Sequence, residues 1–188
     1  KRTFDVVVSG FILLLISPIM ILLALLVKFT SPGPVFYRQE RIGLDGRKFN
    51  KLKFRSMRTD AEKSGPQMAK ANDDRYSPIG LFLTKYSLDE LPQFINVLRG
   101  DMSIVGPRPE REFFINQMKD SIKNYLERHR VKCGVTGWAQ VNGLRRDNTS
   151  MQTRIDYDIY YIENWSLAFD IKIILKTFRE MFFSKEAF

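Results

Sequence analysis

Two adjacent carboxylates and one arginine are the residues of this chain whose types and spacing best suit a chemical role. Asp89 and Glu90 lie within the stretch SLDELPQF, and Arg108 follows about one helix length later within the sequence GPRP. An ionised carboxylate is a nucleophile, and a guanidinium binds phosphate through two parallel hydrogen bonds. The combination indicates chemistry at a phosphate group.

The residues around Asp89 predict how its carboxylate is held. Ser87 is placed as an N-cap, and Glu90 three residues later completes a capping box ahead of an apolar run. Asp89 then falls in the first helical turn, where free N–H groups and the helix dipole favour both a carboxylate and an incoming phosphate. Pro92 has no N–H to donate, so we expect an irregular helix start. The alternative is a well-capped helix whose charges have no chemical role.

The turn that carries Arg108 predicts a rigid backbone. Pro107 and Pro109 each fix φ, while Gly106 permits a tight approach to a neighbouring segment. We therefore expect the Arg108 side chain to be aimed at one place, as bidentate phosphate recognition requires.

Composition restricts the available chemistry. The net charge of +9 implies an anionic partner, such as nucleic acid, a phosphorylated substrate or a membrane surface. With one cysteine, Cys133, and one histidine, His129, the chain cannot build a disulfide framework, a zinc cluster or a pair of metal-binding histidines. A carboxylate is then the most economical nucleophile or base. The single cysteine fits a reducing location, and 188 residues fit one domain.

The N-terminal 30 residues contain an apolar run from Val6 to Val27. As a straight helix the run would reach about 33 Å, enough to cross a hydrocarbon core of about 30 Å. Pro18 near its middle frees the carbonyl of Leu14, which the Ser17 hydroxyl can partly satisfy. Length alone favours a kinked spanning helix. Basic residues at both ends instead match a helix that enters the bilayer and returns to the same face.

Residues 35–43 and 47–57 predict two strands joined by a turn at Asp45 and Gly46, following the SPGP linker that begins the second unit, 31–188. On the second strand Lys51, Lys53 and Arg55 alternate with apolar residues, so they share one face. That face is either exposed to solvent or a basic surface that binds phosphate.

The remaining segments predict further helices around one glycine-rich loop. Residues 110–129 and 148–165 have helical periodicity, and 131–143 form the loop. A last helix begins at a capping serine, Ser166, with Asp170 near its first turn. Its apolar residues recur at three- and four-residue spacing, which fits packing on a core or a place in a membrane interface.

Ordered motifs along nearly the whole chain resemble one family. They are the apolar segment with its Ser-Pro break, RQERIG, KFRSM, SLDELPQFINVLRGDMSIVGPRP, GVTGWAQVNG and YDIYYIENWSLAFDIKIILKT. The chain resembles the bacterial sugar transferase family, the monotopic phosphoglycosyl transferases that move a sugar phosphate from a nucleotide diphosphate sugar to polyprenyl phosphate. Two departures are Thr84 and Lys85, where relatives often carry arginine, and Cys133, where they carry proline.

The resemblance implies a helix-rich mixed α/β fold with a small β-hairpin or sheet. It implies that residues 1–30 form a re-entrant membrane helix broken at Ser17 and Pro18, with both ends on the cytoplasmic face. Residues 31–188 would then be a catalytic domain carrying amphipathic interfacial helices.

The resemblance also implies roles for individual residues. Asp89 would be the nucleophile, and Glu90 would complete a dyad near Mg²⁺, for which Mn²⁺ can substitute. Asp170 would lie in the metal neighbourhood, and Lys53 and Arg108 would bind phosphate. Further phosphate-binding candidates are Lys85 and Arg55, and weaker site candidates are Asp158, Gln140 and Lys132.

The implied reaction transfers a hexose phosphate from a UDP-sugar, with glucose or galactose favoured, to polyprenyl phosphate through a sugar-phosphoryl-Asp89 intermediate. It would start bacterial glycan assembly at the cytoplasmic face of the inner membrane. Expected partners are the two substrates, anionic lipid and a second copy in a homo-oligomer, but no nucleic acid. The alternatives are an inactive membrane scaffold and a domain that binds anionic lipid or nucleic acid.

Overall fold

The computed structural model describes residues 1–63, 65, 67, 73–144 and 150–183 of the chain. The helices are α1 (Arg2–Thr30), α2 (Gly80–Lys85), α3 (Gln93–Arg99), α4 (Glu112–Met118), α5 (Met151–Glu163) and α6 (Leu167–Phe183). The strands are β1 (Phe36–Ile42), β2 (Lys48–Phe54), β3 (Ser103–Val105) and β4 (Gly134–Thr136). The predicted helix-rich mixed α/β fold is confirmed. Of the helix predicted over 148–165, residues 148 and 149 lie outside the described residues.

Helix α1 is continuous through Ser17 and Pro18, so the predicted break does not interrupt the helix. The Ser17 hydroxyl donates a 2.9 Å hydrogen bond to the carbonyl of Leu14, as predicted for the group that the proline frees. Among the described residues α1 is the one helix long and apolar enough to cross a membrane. Only 11% of its most apolar window is buried, so α1 is not a core helix of a soluble fold.

The first turn of α1 is attached to the rest of the chain by polar contacts. The Arg2 guanidinium donates to two carbonyls at the C-terminal end of α3, at 2.5 and 2.7 Å. The buried Asp5 carboxylate accepts hydrogen bonds from the Ser103 hydroxyl and the Ile104 N–H of β3. These contacts fix the start of the apolar helix against the strand that leads to the GPRP turn.

Three apolar clusters form the core. The largest cluster joins α3, β3, α5 and α6 and consists of Val97, Met102, Ile104, Val105, Val141, Tyr161 and Ile173. A second cluster packs the C-terminal half of α1 on β2 and α2 through Leu23, Val27, Phe54 and Leu83. A third consists of Ile42, Ile115, Tyr125 and Ile155. Burial of each such side chain stabilises the fold by about 1.5–3 kcal/mol.

The predicted hairpin is confirmed, because β1 and β2 pair antiparallel from Phe36 opposite Phe54 to Ile42 opposite Lys48. Asp45 and Gly46 both have positive φ in the connecting turn, as an Asp-Gly pair favours. A second, parallel pair joins β3 to β4, which lies within the predicted loop 131–143.

Residues 110–129 do not form the single helix that their periodicity predicts. Helix α4 ends at Met118, and a 3₁₀ segment follows at Tyr125–Arg130. Asn124 between them has φ of +59°, a left-handed conformation that an α-helix cannot accommodate. The prediction of one helix was therefore wrong, since apolar spacing alone does not register this interruption.

Helix α6 begins as predicted, with the Phe169 N–H donating to the Ser166 hydroxyl at 3.1 Å. Ile173 on α6 is fully buried in the core. On another side of the helix a stripe of apolar side chains is exposed, made of Leu167, Ile171, Leu175 and Phe178. The helix therefore packs on the core through one face and exposes apolar side chains on another.

Candidate active site

The Asp89–Glu90 pair lies in a 3₁₀ turn, Leu88–Glu90, ahead of helix α3. Ser87 has φ of +54° and its side chain makes no capping hydrogen bond, so the predicted capping box was wrong. The reason is that Pro92 is the N-cap of α3, which starts three residues after Glu90. Both carboxylates are nevertheless buried, with 3% and 7% of Asp89 and Glu90 exposed.

Strand β2 supplies the nearest cations. The Lys53 ammonium lies 3.1 Å from Asp89 Oδ2 and 3.0 Å from Glu90 Oε1. The Lys51 ammonium lies 3.6 Å from the same Glu90 oxygen, because residues two apart on a strand share a face. Since the Lys51 side chain is only 1% exposed, this face is not solvated. The predicted shared face is confirmed for these two lysines.

Arg55, the third predicted member of that face, lies one residue beyond the end of β2. Its guanidinium donates hydrogen bonds to the carbonyls of Pro34 and Ser31 and to the Ser31 hydroxyl. Arg55 thus holds the linker between α1 and β1 and does not join the carboxylates.

Arg108 also contacts the dyad, with Nη2 donating to Glu90 Oε1 at 3.0 Å. The turn is as tight as predicted, because a Cβ on Gly106 would collide with the carbonyl of Lys132. One carboxylate oxygen, Glu90 Oε1, therefore contacts the basic groups of Lys51, Lys53 and Arg108.

The surroundings of these basic groups set their charge. Glu90 chiefly raises the pKa of the Arg108 guanidinium. Burial acts to lower the pKa of Lys53, but Glu90 and Asp89 outweigh it and the pKa is raised. Burial lowers the pKa of Lys51 well below its ordinary value, despite Glu90. Lys53 and Arg108 therefore stay cationic, and with side chains 19% and 25% exposed they can meet an anion from outside.

The carboxylates of the dyad are of the chemical type that Mg²⁺ binds together with phosphate oxygens. Protein-bound Mg²⁺ commonly takes one or two carboxylates and fills its other positions with phosphate oxygens and water. Asp89 and Glu90 offer two adjacent carboxylates, and among the described residues Asp89 is held through Oδ2 alone. The described residues contain no group of three His, Cys, Asp or Glu side chains that could hold a metal without substrate.

Asp170 is not brought to the dyad. Its carboxylate is fully buried and accepts hydrogen bonds from Lys1 Nζ at 2.6 Å, Tyr161 OH at 2.7 Å and Trp165 Nε1 at 3.1 Å. These partners tie α1, α5 and α6 together. This position gives no support to the metal role expected for Asp170. The three hydrogen bonds are enough to account for a buried carboxylate here.

The other candidates also lie outside the cluster of Asp89, Glu90, Lys51, Lys53 and Arg108. Lys85 is exposed, with its ammonium 5.6 Å from the centre of the Tyr86 ring. Gln140 donates to the carbonyl of Val135 at 3.4 Å, and Lys132 lies beside Gly100 at the end of α3. Asp158 forms a buried ion pair, at 2.8 Å, with Arg128.

Two arginines that the sequence analysis did not select support the GPRP turn. Arg41 Nη1 donates to the carbonyl of Pro109 at 3.1 Å, and Arg128 Nη2 donates to the carbonyl of Arg108 at 2.8 Å. Their signal in the sequence is weak, because each stands among other charged residues and differs only in its burial.

Comparison with known proteins bears on this site. A family model described as bacterial sugar transferase matches residues 1–184. The UDP-glucose:undecaprenyl-phosphate glucose-1-phosphate transferase of Escherichia coli (strain K12) is 48% identical over 100% of this chain and 41% of its own length. The UDP-N-acetylgalactosamine-undecaprenyl-phosphate N-acetylgalactosaminephosphotransferase of Aeromonas hydrophila is 44% identical over 95% of the chain and 43% of its own length.

A shorter relative is covered more fully. The exopolysaccharide production protein ExoY of Sinorhizobium fredii (strain NBRC 101917 / NGR234) is 38% identical over 94% of this chain and 83% of its own length. The chain thus spans about two fifths of the first two relatives and most of the third. With the family model matched over nearly its whole length, the chain belongs to the bacterial sugar transferase family.

Proposed function

We propose that this chain catalyses transfer of a hexose phosphate from a UDP-sugar to undecaprenyl phosphate, giving undecaprenyl-diphosphate-sugar and UMP. The observation that carries the proposal is the dyad itself: two adjacent buried carboxylates flanked by the cationic, partly exposed Lys53 and Arg108. Relatives named as UDP-sugar:undecaprenyl-phosphate transferases support the substrate classes. The exopolysaccharide relative supports a place at the start of bacterial polysaccharide assembly.

In the first step a carboxylate oxygen of Asp89 attacks the phosphorus that carries the sugar. A bond forms between that oxygen and phosphorus, and the bond from phosphorus to the bridging oxygen of the diphosphate breaks. UMP leaves with the bridging oxygen and its electron pair. The product on the protein is a sugar-phosphoryl ester of Asp89, and a carboxylate nucleophile thereby divides one displacement into two easier ones.

In the second step a phosphate oxygen of undecaprenyl phosphate attacks the same phosphorus. The bond from phosphorus to the Asp89 oxygen breaks, and the carboxylate is regenerated. The new phosphorus–oxygen bond gives the lipid-linked diphosphate sugar. Neither step needs a proton from the protein, because UMP leaves with the electron pair of its oxygen and Asp89 is released as a carboxylate.

The basic residues offset charge repulsion between anionic phosphates and an anionic nucleophile. Arg108 presents a planar fork to phosphate oxygens, and Lys53 presents a compact charge beside the attacking oxygen. Glu90 holds both in place through one oxygen. A Mg²⁺ ion held by Asp89 and Glu90 would supply further neutralisation of the diphosphate.

The proposed place of action is the cytoplasmic face of the inner membrane. We infer that α1 enters the bilayer and returns by bending at Ser17 and Pro18 without a break in the helix. Support comes from its exposed apolar surface and from contacts of both its N-terminal turn and its C-terminal half with the rest of the chain. The exposed apolar stripe of α6, Leu167 to Phe178, would lie in the interface. The net charge of +9 favours anionic lipid headgroups.

The test is release of UMP from a panel of UDP-sugars, led by UDP-glucose and UDP-N-acetylgalactosamine, with undecaprenyl phosphate and Mg²⁺ in nanodiscs. We expect wild-type protein to release UMP and Asp89→Asn to lose at least about 10³-fold in rate. Asp156→Asn on the exposed side of α5 is the matched control and should retain the rate. Folded wild-type protein that releases no UMP from any donor would instead favour an inactive scaffold.

A further inference from the structure

The backbone of the GPRP turn is held by donors from three other parts of the chain. Two of its four residues are prolines, which have no N–H, so the turn is short of donors of its own. Three consecutive carbonyls each accept one hydrogen bond from outside. The pairs are Pro107 with the N–H of Gly134, Arg108 with Arg128 Nη2, and Pro109 with Arg41 Nη1, at 2.9, 2.8 and 3.1 Å.

The middle donor, Arg128, is itself fixed by a buried ion pair. Its Nη2 lies 2.8 Å from Asp158 Oδ2, and the two side chains are only 2% and 3% exposed. The guanidinium stacks 5.5 Å from the centre of the Tyr125 ring. Burial acts to lower the pKa of Arg128, but Asp158 more than offsets it, so the group stays charged. Both side chains are closed to solvent, so neither is placed to contact an incoming substrate directly.

A buried ion pair is a poor device for stability alone. Desolvation of two charges about cancels their attraction, and an apolar pair of similar volume is often as stable. What an apolar pair cannot provide is a fixed donor for the carbonyl of Arg108. The same residue that receives this bond sends its side chain to Glu90 at 3.0 Å.

We propose that Arg128, held by Asp158, is a positioning residue for sugar-phosphate transfer: it fixes the backbone of Arg108 and thereby the place of the Arg108 guanidinium against Glu90. This inference rests on the function proposed above. A shift of about 1 Å in a group that orients substrate can reduce the rate about 10²-fold. Asp158, a weak site candidate from sequence, thus acts through Arg128 and not on the substrate.

The experiment replaces the pair by apolar residues, Arg128→Met with Asp158→Leu, so that no lone charge stays buried. We expect kcat for UMP release to fall about 100-fold while KM for the UDP-sugar changes less than about threefold. The matched control is Arg130→Met with Glu127→Leu, an ion pair in the same segment whose side chains are 73% and 50% exposed. The control should keep kcat.

A double-mutant cycle separates positioning from general damage. In an Arg108→Ala background the pair replacement should cost less than about threefold, because the residue through which it acts is gone. An equal loss in both backgrounds would overturn the proposal. If the pair replacement does not fold, Arg128→Lys is put through the same cycle, since the ammonium keeps the charge but lacks the planar guanidinium that fixes the direction of the hydrogen bond to the carbonyl. A loss of about tenfold that occurs only when Arg108 is present supports positioning. An equal loss with Arg108 and with Arg108→Ala contradicts it.

Failure of this proposal is distinguishable from failure of the proposed function. Wild-type turnover is measured first, and its absence overturns the function. Hydrogen exchange of residues 104–112 then tests the hold on the turn without any turnover. We expect faster exchange in the pair replacement than in the control pair. Unchanged exchange would show that Arg128 does not hold the turn.

Discussion

Two of the buried carboxylate centres, Asp170 and the Asp89–Glu90 dyad, differ in the number of basic groups that surround them. Asp170 is fully buried, and its oxygens are occupied by Lys1, Tyr161 and Trp165. The Asp89–Glu90 dyad is almost as deeply buried. Three basic groups, those of Lys51, Lys53 and Arg108, contact the dyad, whereas Lys1 is the one basic group that contacts Asp170 among the described residues.

The contrast shows that burial and ion pairing by themselves do not identify an active site. Asp170 joins three helices, and both of its oxygens accept hydrogen bonds from within the fold. Under the proposed function an incoming diphosphate would also contact the cations beside the dyad, so the ion pairs would be exchanged for substrate contacts. The following predictions test whether one centre serves chemistry and the other serves the fold.

The largest effect is expected from Glu90→Gln. This change removes the charge that Lys51, Lys53 and Arg108 share, so the basic groups repel one another and lose their common anchor. UMP release should fall about 10³-fold. Initial rates in nanodiscs measure the loss, with the exposed Glu127→Gln as control. A rate near that of wild type would remove Glu90 from the site.

Asp170→Asn should affect the fold and leave the chemistry. An amide cannot accept from all three donors, and Lys1 loses its counter-ion, so the free energy of unfolding should fall by about 3 kcal/mol. The thermal midpoint would drop by about 6–10 °C while the rate per folded molecule stays within about threefold. An unchanged midpoint with a lost response to Mg²⁺ would instead return Asp170 to the metal neighbourhood.

Local patterns predicted the parts of this fold that depend on neighbours in sequence. The Asp-Gly turn gave the hairpin, alternation put Lys51 and Lys53 on one face, and a serine cap began α6. The contact of Ser17 with a carbonyl three residues earlier is of the same kind. In each case the interacting groups lie on one element or one turn, so their spacing determines the geometry.

Pairings between distant segments were not predictable. Lys1 meets Asp170 across 169 residues, and Arg128 meets Asp158 across 30. Such pairs depend on how the helices pack on one another, and the hydrophobic periodicity within one segment does not determine that packing. The capping box predicted at Ser87 did not form either, because Ser87 has positive φ and helix α3 begins only after Pro92.

A comparison of two lysines sharpens the boundary of the site. Lys53→Met removes the cation beside both carboxylates and should lower kcat/KM about 10²-fold. Lys85→Met removes an exposed cation that stacks near Tyr86 and should change kcat/KM less than about twofold. Both variants are measured with one UDP-sugar after their thermal midpoints are matched. Equal losses would extend the phosphate site to Lys85.

The smallest effect concerns pH and involves neither carboxylate centre. Burial and the neighbouring Arg128 lower the pKa of His129 to about 4. Because the folded pKa lies below the unfolded value of about 6.5, the contribution of His129 to stability is complete above pH 6.5 and is lost as pH falls toward 4. Solvent screening limits the contribution to about 1 kcal/mol.

His129→Phe keeps an aromatic ring beside Tyr125 and removes the titration. Between pH 7 and pH 5 the wild-type thermal midpoint should fall about 2–4 °C further than that of the variant. Since His129 is the single histidine of the chain, no other imidazole contributes in this range. Parallel midpoints for the two proteins would mean that the ring is already solvated, and that the segment carrying Arg128 opens more readily than its burial implies.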